Sequence, residues 1–107
     1  MLIYKEELMN NTGFQEIKLP YDDAEEARAN ILHIGMQYDA PHMWFDALRD
    51  ELKEFLIVCI GTGHDWGDKL RREEYIGSMV VADGMFVWHY FLLEKEDFLN
   101  RLKNYSE

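Results

Sequence analysis

The chain has 107 residues, 48% of them hydrophobic and 14% aromatic, which is enough apolar material for a real core and too much for a disordered segment. Its 21 acids against 11 bases give a formal charge of −10, which disfavours direct binding to a nucleic-acid backbone because the basic footprint is missing. No apolar run approaches the length of a membrane span. The early charges of MLIYKEELM do not fit a secretory leader, and a single cysteine suits a reducing cytoplasm. The expectation is one cytoplasmic domain over residues 1–107.

In chain order, 2–9 (LIYKEELM) and 14–19 (FQEIKL) read as two short strands around the turn signal NNTG, with Pro20 ending the second. Asp22 with Glu25 three residues later has the spacing of a capping box, and Ala24, Ala27, Ile31, Ile34 and Tyr38 follow at helical intervals. They predict a helix over 22–36. A second helix is expected after Asp39, with Pro41 in its first turn and an apolar stripe of Trp44, Phe45, Leu48, Leu52, Phe55, Leu56 and Cys59. Gly61 would stop it. On its opposite side Asp46, Asp50 and Glu54 would face water.

Residues 75–92 carry the strongest local signal. Asp83-Gly84 between two β-rich runs predicts a hairpin with Ala82 opposite Met85, Val80 opposite Val87 and Ser78 opposite His89. That register puts Ile76, Ser78 and His89 on one face and Tyr75, Gly77 and Met79 on the other. Both faces are apolar, so both need covering, by helices, a second sheet or another copy of the chain. Residues 94–105 predict a last helix, with Phe98, Leu102 and Tyr105 in a stripe, acids at its start and bases near its end. The fold class expected is therefore α+β: a single compact domain in which a hairpin-containing antiparallel sheet packs against two or three amphipathic helices.

Candidate chemistry is sparse. The stretch GTGHDWGD at 61–68 lacks any phosphate-loop spacing. His64, Asp65 and Asp68 offer a metal-dependent hydrolase or a nucleotide-binding loop as an alternative, but helix termination with Trp66 tucked against the core is the preferred reading. Ser78 and His89 lack an acid partner in sequence and read as a mutually satisfied core pair. Asp46, Asp50 and Glu54 could in principle hold Mg²⁺ if they faced a second acidic helix, but pointing at water they read as a solvated face. Cys59 reads as a buried structural thiol. No metal or cofactor is expected.

Charge is the remaining guide. Residues 21–54 hold nine acids against three bases. This implies a non-catalytic binding module that docks Asp22, Asp23, Glu25, Glu26, Asp46, Asp50, Glu54 and Trp66 on a basic protein. The concrete form expected is an inhibitor, immunity or anti-defence protein that mimics nucleic acid on a nuclease or similar partner, with a homodimer through the 75–92 hairpin as a further possibility.

Overall fold

The computed structural model describes residues 1–81 and 84–105. It is mostly β, and this corrects the expected fold class: two antiparallel sheets replace one sheet packed on two or three helices. The elements run β1 (Ile3–Glu7), β2 (Gly13–Leu19), α1 (Ala24–Ala29), β3 (Ile31–Gln37), β4 (Ala40–Asp46), β5 (Lys53–Gly61), β6 (Tyr75–Val81), β7 (Phe86–Leu93) and α2 (Lys95–Tyr105). Single 3-10 turns lie at Gly67–Lys69 and Arg72–Glu74. One sheet has the order β1-β4-β3, the other β2-β5-β7-β6.

The helix expected over 22–36 stops after its first turns. Asp23, one residue later than expected, is the N-cap: its carboxylate accepts from the Glu26 amide at 2.8 Å, while the Glu26 carboxylate accepts from the Asp22 amide at 3.0 Å. Asn30 closes the helix, its amide bonded to the Ala27 carbonyl at 3.1 Å. The chain then turns into β3. There Ile31 and Ile34 pack on the core from a strand that carries a bulge between Ile31 and His33, so their spacing imitates a helical stripe.

The helix expected from Asp39 to Gly61 does not exist. Its first part is β4, joined to β3 by a two-residue turn in which Tyr38 and Asp39 both have left-handed backbones, φ 53° and 63°. Its second part is β5, the middle of the larger sheet. Phe55 through Cys59 are all buried, on alternating faces, so the strand lacks the polar alternation that would have disclosed it.

The two sheets pack face to face. Met43 and Phe45 from β4 meet Phe55, Ile57 and Cys59 from β5 and Tyr90 and Leu92 from β7 in one core. The other face of β5 and β7 presents Leu56, Val58 and Leu93 to Phe98 of α2, forming a second core. Each such side chain contributes roughly 1.5–3 kcal/mol on removal from water. The expected strands 2–9 and 14–19 are found as β1 and β2, but they belong to different sheets, pairing with β4 and β5 respectively.

The hairpin has the expected register, with Val80 opposite Val87 and Ser78 opposite His89. The expected pairing of Ala82 with Met85 and the Asp83 turn position lie outside the described residues. Much of the hairpin is covered within the chain, by the small sheet on one side and by α2 on the other. Near its tip Val80, Met85 and Phe86 remain exposed. Among the described residues, no helix is long and apolar enough to cross a membrane.

Candidate functional site

The acidic side chains read as one helical face are dispersed by the fold. Asp46 closes β4, Asp50 lies in the 47–52 connection, and Glu54 stands near the start of β5. Asp22 and Glu26 are drawn to Arg49, at 3.7 and 2.5 Å. The Arg49 hydrogen bond, aided by the Asp22 amide, holds the Glu26 carboxyl below its usual range.

A different acidic surface forms where both helices begin. The Ala24 amide donates to the Glu94 carboxylate at 2.7 Å, tying the first residue of α1 to the residue before α2. Around this tie Asp23, Glu25, Glu73 and Asp97 border one depression, and Glu54 and Glu96 border another. Arg71 also borders the first depression, while the other nearby bases are engaged elsewhere. Arg28 donates to the Leu92 carbonyl, Arg101 to Glu74, and Lys95 to Glu16 and Glu54. Among the described residues Asp23, Glu25, Glu73, Glu96 and Asp97 make no ion pair within 4 Å. Sequence reasoning included Asp23 and Glu25 but missed the carboxylates of α2, which only the fold brings alongside.

The 61–68 loop does not end a helix; it leaves the end of β5. His64 Nδ1 meets the Thr12 hydroxyl at 3.0 Å and accepts from the Gly61 amide at 3.4 Å. Asp65 accepts from the Gly67 amide at 2.8 Å, and Asp68 is exposed on the following 3-10 turn. His64, Asp65 and Asp68 are thus not assembled as ligands, and among the described residues no group of His, Cys, Asp or Glu is arranged to hold a metal ion. Trp66 is half-buried, stacked on Phe98 with ring centroids 6.0 Å apart.

Beside that loop lies a cleft of about 580 Å³ over the outer face of the larger sheet. Its position follows from a bulge between Tyr75 and Gly77. The bulge pairs Tyr75 with Phe91, moving it onto the face of Ser78 and His89 and sending Ile76 to the inner core, the reverse of the expected facing. Tyr75 OH now hydrogen-bonds Ser78 Oγ. Ser78 Oγ is 2.7 Å from His89 Nδ1, and His89 Nε2 is 2.7 Å from Thr62 Oγ1. This four-residue chain is half-exposed, which corrects the expectation of a buried core pair.

Both imidazole nitrogens are occupied by hydroxyls, and among the described residues no carboxylate bonds the ring. The chain can relay hydrogen-bond polarity between Tyr75 and Thr62, but it lacks the acid–base–nucleophile order of a hydrolytic triad. Cys59 is buried as expected, and burial pushes its thiol up to about 11, outweighing a lowering hydrogen bond with Tyr90. Tyr75, Thr62 and the adjacent Arg71 and Arg72 were absent from the sequence-based candidates. The Arg-Arg step, alone among the bases of the chain in being a direct pair, was the available signal.

The model of a domain of unknown function, DUF7352, matches residues 1–99, and the chain belongs to that family. No curated protein and no solved structure matches it.

Proposed function

We propose that this is a cytoplasmic binding protein that docks an acidic surface on a basic protein, in the manner of an inhibitor, immunity or anti-defence protein occupying a phosphate-binding groove. The observation that supports this reading is the convergence of Asp23, Glu25, Glu73, Glu96 and Asp97 around the Ala24–Glu94 tie, with Arg101 and Lys95 beside them already paired to other carboxylates. A surface of this kind attracts a basic partner at long range and repels nucleic acid. Docking there requires no catalysis by the chain itself.

The test is a paired capture from host lysate, using the wild-type chain and a variant carrying Glu25→Gln, Glu73→Gln, Glu96→Gln and Asp97→Asn. Glu94 and Asp23 are left alone because they cap helices. The reading expects a basic protein that is retained by the wild type, released as salt rises, and lost from the variant. Equal retention of every captured protein by the two chains would defeat it.

A further inference from the structure

We propose that the cleft between the 61–74 segment and the outer face of β7 binds a small planar organic anion, an aromatic carboxylate. Its volume, about 580 Å³, falls in the range of small-molecule sites. Its walls are Ile60, Trp66, Leu70 and Phe91, all four packed against the rim of the second core. Flat apolar walls of indole and phenyl accept a ring system, and stacking adds to the area buried.

Arg71 and Arg72 stand at this cleft, and their state decides the sign of the ligand. The other arginines are engaged: Arg28 with a carbonyl, Arg49 with Glu26, Arg101 with Glu74. Among the described residues neither Arg71 nor Arg72 makes an ion pair within 4 Å, although the Arg71 charge lies near enough to Glu74 to help lower its carboxyl. In a chain with 21 acids and 11 bases, Arg72 and its neighbour Arg71, neither ion-paired within 4 Å, can take a carboxylate from outside. The lining carboxylate, Asp65, is turned to its own loop by the Gly67 amide.

A carboxylate suits the site better than a phosphate. One guanidinium fork matches the two oxygens of a carboxylate, and the second guanidinium adds its charge. A phosphate ligand would want free backbone amides, and those of Gly61, His64 and Gly67 are spent within the loop. Tyr75 completes the lining with a hydroxyl bonded to Ser78, which is in turn bonded to His89 and through it to Thr62, a hydrogen-bonding group for a ring substituent.

The experiment uses the full chain labelled with ¹⁵N, titrated with 2-naphthoate and with 2-naphthamide, the uncharged analogue of the same shape. The Trp66 indole signal is assigned with Trp66→Phe. The expected result is a saturable shift of Trp66 and of the 61–75 amides with naphthoate. Binding should weaken about tenfold or more for naphthamide, and again for the Arg71→Gln/Arg72→Gln double variant. Lys18→Gln, a distant charge change, should leave it unaltered. No saturable shift with naphthoate would overturn the proposal. So would equal binding of the two probes, or undiminished binding by a double variant whose spectrum is otherwise folded.

Discussion

Arg101 of α2 clasps Glu74, just before β6, with both guanidinium ends: 2.7 Å to one carboxylate oxygen and 2.6 Å to the other. Glu74 is only 5% exposed and also accepts from the Arg71 amide at 2.9 Å. This pair fastens the last helix to the foot of the hairpin. Replacing Arg101 by Met leaves a buried carboxylate unpaired and is expected to cost about 3 kcal/mol. The double change Arg101→Met/Glu74→Gln should cost clearly less than the two single changes added. Urea unfolding of the four proteins measures the coupling.

The same pair sets an acid limit. Burial alone would raise the Glu74 carboxyl, but the Arg101 hydrogen bonds and the Arg71 amide outweigh it and bring it below the usual range. A lowered carboxylate stabilises the fold fully above its unfolded value, about 4.3, and that contribution is lost as pH falls through the folded value. Stability should therefore drop on acidification below about pH 4–5 in the wild type, and less steeply in Glu74→Gln. A Glu74→Gln profile as steep as the wild type would refute this.

Cys59 should be silent towards thiol reagents in the native state and react only as fast as the protein opens. Its thiol and the Tyr21 hydroxyl are pushed up, to about 11 and about 12, chiefly by burial. Groups raised in the folded state stabilise it below their unfolded values and lose that contribution as pH rises towards the folded ones. Stability should fall from about pH 8.5, where an unfolded thiol begins to ionise. Cys59→Ala, whatever its packing cost, should delay the onset to the tyrosine range near pH 10. Chemical unfolding at alkaline pH is the check.

The β3–β4 turn holds two ordinary residues in left-handed backbone, Tyr38 and Asp39. Asn-Gly is the pair such a turn prefers. Tyr38→Asn with Asp39→Gly should raise stability by about 1 kcal/mol, the strain relieved being partly offset by glycine's freer unfolded chain and the lost Lys5–Tyr38 ring contact. Asp39→Pro demands a negative φ and should instead be strongly destabilising. Thermal melts of both variants decide it.

Phe98 is fully buried and touches the Phe14 and Trp66 rings, at 5.8 and 6.0 Å between centroids. Phe98→Ala should cost about 3–5 kcal/mol and free α2 from amide protection. Leu99, its largely exposed neighbour, should cost well under about 1 kcal/mol when replaced by Ala. Hydrogen exchange of the α2 amides distinguishes undocking from general loss of stability.

The legible parts of the fold are those whose signal is local. The β6–β7 register was readable from Asp83-Gly84, and α2 from its stripe and its end charges. The rest failed for specific reasons. The Tyr38–Asp39 turn has none of the residues its geometry favours, so the β3–β4 hairpin left no mark. β5 is buried on both faces, so its run FLIVCI looked like the continuation of a helix. The bulge at Tyr75 inverted one facing and thereby built the cleft. The acidic surface joins residues 23 and 97, a proximity that only the tertiary structure creates.

The pairing of β1 with β4 and of β2 with β5 also has a kinetic side. As the chain leaves the ribosome, its first two strands have no neighbour to zip onto; β1 waits for residues 40–46 and β2 for residues 53–61. Only the strained β3–β4 hairpin can close early, and the central strand β5 stays open on one edge until β7 follows. Folding should accordingly be slow for so short a chain, in the millisecond-to-second range typical of non-local β topologies. In that interval FLIVCI is a bare, uncharged strand, and what shields it from its own kind during synthesis is the preponderance of acids around it.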